Sequence, residues 1–325
     1  MSRPRRAPGP RVVVLRALNL GDLLTGIPAL RALGDAFADH HRVLATPGVF
    51  APLVRREGLA DEVVDTRGLK PLAATLGGPD LAVDLHGRGP GSQPLLLALR
   101  PRRLIAFRHP GIPETAGLPD WVAGEHEVER WCRLLSQSGV PSDPRRLELR
   151  CADRAAAHPR RGSTVIHPGA ASPARRWPVE RFAAVARSEV TGGRRVVITG
   201  GVAERPAAER VAAIAGLSPA DVLAGATDLD ALIDLVAAAG RVVSGDTGVA
   251  HLATALGTPS VVLFGPIPPA EWGPPADRPG HVALWSGRRG DPHAGVVDAG
   301  LAEIAVADVT AALAALPPVP SLRSW

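Results

Sequence analysis

Apolar runs alternate with amphipathic stretches along most of this chain. In the first half, Val12–Leu15, Arg42–Ala45, Glu62–Asp65, Leu81–Leu85 and Arg103–Phe107 read as strands. Their apolar residues cluster in short blocks, as in strands covered on both faces. Helical spacing fills most of the gaps and is clearest over Leu23–Phe37 and Glu125–Gln137. The pattern restarts at Thr164, with strands predicted at Val165–His167, Arg195–Thr199, Val222–Leu223, Val242-Val243 and Val261–Phe264. Helices are predicted over Val179–Ser188, Glu204–Ile214, Asp228–Ala238, Val249–Leu256 and Ala307–Leu316. Two successive strand–helix alternations predict an α/β protein with two doubly wound parallel sheets. Pro159 and several charged residues interrupt the pattern within Asp153–Gly162, so the linker is expected there.

The segment Val242–Pro266 carries the densest chemistry. Ser244-Gly245-Asp246-Thr247-Gly248 leads from a strand into the helix Val249–Leu256. Gly245 and Gly248 allow a tight turn and close backbone approach to a ligand. Asp246 or Thr247 can cap the helix, and its remaining N–H groups, with the positive end of the dipole, form a seat for phosphate. His251 follows in the first turns, where it can face the same ligand. The alternative is an ordinary α/β loop, because every helix start needs capping. Thr199-Gly200-Gly201 ends another strand and is a phosphate or ribose position. Glu204 after it is either a hydroxyl acceptor or a first-turn carboxylate favoured by the dipole. In the first half, Ala17–Asp22 turns from a strand into a helix, with Gly21 easing the turn. Asp22 reads there as either a cap or a cleft carboxylate.

Composition narrows the function classes. The chain has 325 residues, 46% of them hydrophobic, long enough for two domains with their own cores. Mean hydropathy is +0.09, and no apolar run is long enough to cross a bilayer. The opening MSRPRRAPGP lacks the apolar core of a signal peptide and reads as a short disordered tail on a cytoplasmic protein. Cys132 and Cys151 form neither a metal pattern nor a disulfide framework, so both are expected to be reduced and structural. A net charge of +5 raises the question of nucleic acid. The basic residues are almost all arginines spread along the chain, Lys70 is the only lysine, and Tyr is absent. No nucleic-acid module or stacking platform is visible, so no nucleic-acid partner is expected. A diphosphate accounts for the local arginines. A dinucleotide oxidoreductase is disfavoured, because the Ala17–Asp22 turn has Gly21 alone where that class has Gly-x-Gly-x-x-Gly.

Three ordered segments resemble the ADP-heptose:lipopolysaccharide heptosyltransferase family, glycosyltransferase family nine. They are VVVLRALNLGDLLTGIPALRAL from Val12, His167-Pro168-Gly169-Ala170 with Ala171–Trp177, and DTGVAHLATALGTPSVVLFGP from Asp246. The resemblance implies a GT-B fold, two Rossmann-like doubly wound domains facing across a cleft. Residues 1–155 would form the acceptor-side domain and 156–325 the nucleotide-sugar domain, with the last helix packing back on the first. It implies Asp22 as catalytic base and Asn19, His86, Arg88 and Gln93 as acceptor-side residues, the last three around the turn Asp84–Arg88. Donor binding would fall to His167, Arg175, Arg176, Gly200, Gly201, Glu204, Asp246, Thr247, Gly248 and His251. Arg175 stands where the family commonly has Lys; the charge is kept and the grip on phosphate oxygens differs. His126-Glu127-Val128-Glu129-Arg130 resembles a family helix start and is either a cap or an acceptor contact. Trp272 and Trp285 are expected to pack, Trp272 near the donor loop.

The activity implied is inverting transfer of heptose from ADP-heptose to a hydroxyl of a glycoside or glycolipid acceptor. No cofactor is expected, the nucleotide sugar being a co-substrate. The helix dipole and arginines would supply the positive charge at the diphosphate, so no metal is expected either, and membrane contact would be peripheral at most. Two alternatives stay open: a transferase using another nucleotide-diphosphate sugar on a natural-product acceptor, and a non-catalytic sugar-nucleotide-binding protein.

Overall fold

The computed structural model describes residues 9–150 and 156–317. The expected N-terminal tail up to residue 8, Cys151 and the start of the linker lie outside them. The chain divides into two compact units, residues up to Leu147 and from Glu148 onward. This division precedes the expected boundary at 155/156. The Leu149 N–H donates to Ala255 O at 2.8 Å, which ties the stretch after Leu147 to the second unit.

The first unit is built on five parallel strands: β1 (Arg11–Leu15), β2 (His41–Thr46), β3 (Glu62–Asp65), β4 (Leu81–Asp84) and β5 (Arg103–Ile105). Their order is β3-β2-β1-β4-β5. Val13 at the centre pairs with Val43 on one side and Ala82 on the other, and all three are fully buried. Such apolar strands form because helices cover both sheet faces. The predicted helix Leu23–Phe37 is instead two helices, Leu20–Thr25 and Ile27–Ala36, divided at Gly26. Pro28 explains the break, since it has no N–H to donate to the carbonyl four residues earlier.

The second unit repeats the design with β6 (Thr164–His167), β7 (Val196–Ile198), β8 (Arg241–Gly245), β9 (Ser260–Leu263) and β10 (His281–Leu284), ordered β10-β9-β8-β6-β7. The predicted strand Val222–Leu223 reduces to a single bridge between Val222 and Ile198. The fifth strand is β10, an edge strand paired with β9 alone and half-buried throughout; its apolar run Val282–Trp285 was passed over in the sequence.

The helix Val306–Ala315 packs on the sheet of its own unit. Val309 and Leu313 are buried in one core with Phe182, Ile166, Val261 and Leu263 of the second unit. Trp177 is buried beside them and donates its indole N–H to Ile304 O at 3.1 Å, fixing the chain just before that helix. Cys132 is a buried free thiol, and burial pushes it up to about 12. Among the described residues, no helix is long and apolar enough to cross a membrane.

Because Leu313 is 1% exposed in this core, truncating it leaves a cavity. Leu313→Ala is expected to cost about 2–5 kcal/mol in denaturant unfolding. A loss below about 1 kcal/mol would show that the last helix is not part of the second unit's core.

Candidate functional site

Doubly wound sheets bind ligands outside the carboxyl ends of the strands where the winding reverses. In the first unit that point lies between β1 and β4, and in the second between β6 and β8. Most of the residues singled out from the sequence stand at these two points.

In the first unit, β1 runs into Arg16 and Ala17, and Asn19 is the exposed N-cap of the helix Leu20–Thr25. Asp22 is the third residue of that helix rather than its cap. Its Oδ2 accepts the Asn19 N–H at 3.1 Å, half of a capping box. Its backbone carbonyl accepts from the Thr25 hydroxyl at 3.0 Å and from Arg16 Nε at 2.5 Å. From the end of β4, His86 reaches across so that its Nδ1 accepts the Ala17 N–H at 3.1 Å. Neutral His86 therefore carries its proton on Nε2 and presents a donor there. Burial and the neighbouring Arg16 charge push its pKa down to about 4. Beneath it Asp84 is fully buried, accepting from Ser92 Oγ at 2.6 Å and His86 N at 2.9 Å. Burial lifts the Asp84 carboxyl to about 6.

Arg88 is exposed on the same turn. Gln93 corrects the sequence reading. Its side chain is fully buried, with Nε2 donating to Phe107 O at 2.7 Å, so it ties the chain after β5 to the helix Gln93–Leu97. His126 settles as a cap, its Nδ1 accepting the Val128 N–H at 3.3 Å.

In the second unit, β8 ends at Gly245 and Thr247 is the N-cap of the helix Gly248–Leu256. Neither Asp246 nor Thr247 caps it with its side chain. Asp246 instead gathers its neighbours. Arg175 donates through Nη2 to the Asp246 carbonyl and, at 2.8 Å, to Oδ2. His251 Nε2 stands 3.5 Å from Oδ1, and its ring meets Trp272 edge-on with centroids 5.8 Å apart. The hydroxyls of Ser244 and Thr247 are buried without a partner among the described residues. The first N–H groups of the helix have no intrahelical acceptor. Arg175, Asp246, Thr247, Gly248 and His251 are thus brought together, with Arg175 and Asp246 beside Leu263, Gly265, Pro266 and Ile267. Trp285 packs as expected, donating to Gly265 O at 3.0 Å. Gly245 suits the close approach here, since a Cβ would lie 3.2 Å from Arg175 O and crowd it.

Arg176 stands apart from this group. It is exposed, and its Nε donates to Ala170 O at 2.9 Å in the turn after β6. His167, at the end of β6, joins a second cluster. Its Nδ1 is 3.1 Å from Thr199 Oγ1 and its Nε2 is 3.7 Å from Glu204 Oε2. Burial lowers its pKa, partly offset by the Glu204 charge. Glu204 Oε2 also accepts the Gly201 N–H at 2.7 Å, and a Cβ at Gly169 would fall 2.0 Å from Glu204 Oε1. Gly200 packs against Glu204 and Ala224, where a Cβ would approach to 3.1 Å. The sequence reading missed Arg16. A charged residue directly after the apolar run VVVL was the available signal for Arg16.

Two Rossmann-like units, each with loops gathered at its point of reversal, define the GT-B class of glycosyltransferase fold. The chain belongs to glycosyltransferase family 9 (heptosyltransferase), which residues 119–292 match. It is 33% identical over 140 residues to lipooligosaccharide heptosyltransferase 2 of Haemophilus influenzae, an alignment covering 39% of this chain and 40% of that protein. The matched stretch is thus about two fifths of that curated relative's length. Among solved structures, it is similar to a glycosyl transferase family 9 protein from Veillonella parvula, with TM-score 0.77 and 19% identity, covering 96% of this chain and 98% of that one. It is also similar to E. coli ADP-heptose lps heptosyltransferase II, with TM-score 0.76, 21% identity and coverage of 94% and 98%. These structural likenesses show the fold.

Asp84 and His86 set opposed pH dependences within one turn. Folding favours protonated Asp84, so its contribution falls as pH rises from about 4 through 6, by roughly 3 kcal/mol. Folding favours neutral His86, so its contribution grows as pH rises from about 4 through 6.5. Asp84→Asn is therefore expected to steepen the gain in stability between pH 4 and 6.5, and His86→Gln to turn that gain into a loss. Denaturant melts across this range check both, and unchanged slopes in the two variants contradict the burial of the pair.

Proposed function

We propose that this chain is an inverting glycosyltransferase that moves heptose from ADP-heptose to a hydroxyl of a glycoside or glycolipid acceptor. The observation that carries this reading is the convergence of Arg175, Thr247, Gly248 and His251 at the reversal point of the second sheet, in a member of a heptosyltransferase family. The names of the relatives, one of which contains ADP-heptose, favour that donor over other nucleotide sugars.

In this reading the second unit binds the donor. The diphosphate sits on the N–H groups at the start of the helix Gly248–Leu256, and Arg175 turns from Asp246 to phosphate oxygens. Arg176 adds charge from the neighbouring turn, and the Thr247 hydroxyl gains the partner it lacks. Glu204, with Gly200 and Gly201 beside it, receives ribose or sugar hydroxyls, and His167 supports it from beneath. The first unit binds the acceptor through Asn19, His86 and Arg88. Asp22 takes the proton from the acceptor hydroxyl as that oxygen attacks the anomeric carbon opposite the diphosphate. The bond from that carbon to the diphosphate breaks, and the negative charge growing on the leaving group is met by the helix N-terminus and the guanidinium groups. Because these groups supply the positive charge, no divalent ion is required.

Two measurements test this. Asp22→Asn keeps the shape of the side chain and removes its proton acceptance. Transfer is expected to fall on the order of 10²–10⁴-fold, with nucleotide affinity and melting temperature little changed. Near-normal transfer in the folded variant ends the assignment of the base.

Gly248→Val blocks backbone approach, and Arg175→Ala removes a charged donor. Each is expected to weaken ADP binding by about tenfold or more in calorimetry. Wild-type transfer is expected to persist in EDTA. Unchanged ADP affinity in both variants overturns the donor site. ADP binding without transfer to any sugar-containing acceptor favours the non-catalytic alternative.

A further inference from the structure

Arg16 is the largest charged side chain sealed in the first unit, 1% exposed, at the end of the apolar strand β1. Its donors reach three separate chain segments. Nε donates to Asp22 O at 2.5 Å. Nη1 donates to Leu85 O, the carbonyl just before His86. Nη2 reaches Thr25 Oγ1 at 3.1 Å and Glu127 Oε1 at 3.4 Å. The guanidinium lies over the Trp131 ring, 5.0 Å from its centroid. Glu127 is itself 4% exposed and also accepts from Trp131 Nε1 at 2.7 Å and from Arg130 Nη1.

A buried ion pair is a poor way to gain stability, because desolvation offsets most of its attraction. Directional geometry is what a guanidinium supplies and an apolar side chain does not. Two of the groups that Arg16 holds are the backbone of Asp22 itself and the carbonyl adjoining His86. Gly26 leaves room for it, since a Cβ there would approach Arg16 Nε to 2.7 Å and Cδ to 3.0 Å.

We propose that Arg16 is the positioning residue of the base. By clamping Asp22 O and Leu85 O together, with Glu127 holding the guanidinium in place, it fixes where the Asp22 carboxylate stands relative to the acceptor turn. This rests on the reading of Asp22 as the base. Lys cannot replace it, because one ammonium with three donors does not span carbonyls on opposite sides of a planar fork. Loss of the clamp shifts the carboxylate without touching the donor unit, and misplacement on the order of 1 Å costs about 10²-fold in rate.

The experiment is a double-mutant cycle on the full chain, with transfer, ADP affinity and melting temperature read for each variant. Arg16→Lys is expected to lower kcat by about 10–100-fold with ADP affinity within about threefold of wild type. In an Asp22→Asn background, Arg16→Lys is expected to lower the residual transfer no further, because the group it positions is already lost. A purely structural role would lower both backgrounds alike, and that result overturns the proposal. Normal kcat in folded Arg16→Lys, beside a crippled Asp22→Asn, overturns it while leaving Asp22 as the base. Near-normal transfer in Asp22→Asn overturns both. Where Arg16→Lys does not fold, Gly26→Ala crowds the same guanidinium with Arg16 retained. It is expected to lower kcat in the wild-type background only, and a folded Gly26→Ala protein with normal kcat overturns the proposal.

Discussion

A parallel sheet wound in both directions must reverse once, and the loops leaving the two strands at that point run apart. This constraint places the chemistry of both units. In the first it opens between β1 and β4, where Ala17 meets His86 across 69 residues of chain. In the second it opens between β6 and β8, where Arg175 meets Asp246 across 71. The polar groups can gather there because the strands beneath are fully buried and rigid. The loops inherit their positions from packed apolar registers such as Ile166 against Val243.

The two reversal points use charge differently. Arg175 is partly exposed and paired with Asp246, so part of its side chain stays in contact with solvent. Arg16 is sealed, with side-chain exposures of 0% and 6% for it and Glu127. Removing Glu127 would leave the buried guanidinium without its carboxylate, whereas Glu127 would keep Arg130 if Arg16 were lost. Exposed pairs such as Arg205–Glu209 are common on the same chain and contribute little, since water screens both ends. The near-exclusive use of arginine therefore has consequences at few places, where a planar fork reaches several acceptors at once.

Glutamate and glycine are matched in the same way. Glu204 lies over Gly169 with no space for a Cβ between them, and its carboxylate holds the Gly201 N–H. One carboxylate thus serves the start of a helix and borders the end of β6. The two readings of Glu204 left open by the sequence, helix-start carboxylate and ligand group, are compatible in one conformation.

The apolar blocks by themselves determined the alternation of strands and helices, the parallel sheets and the restart at Thr164, because burial on both faces writes itself locally as runs of Val, Leu and Ile. The glycine turns at Gly245 and Gly248 were legible for the same reason, since a tight turn restricts the residue that makes it. The strand β10 was passed over although Val282–Trp285 is apolar, because its pairing to β9 alone is a matter of strand order. The division at Gly26 has a local signal in Pro28 that was passed over, whereas the sealing of Gln93 and the docking of Val309 and Leu313 on their own sheet have none. These last two depend on which distant segment lies alongside. Only the tertiary structure decided that Asp246 holds Arg175 and His251 instead of capping its helix, and that Arg16 reaches Asp22, Leu85 and Glu127 together. Hydrogen bonds are settled by separation in space, and strand order brings together residues that the sequence keeps far apart.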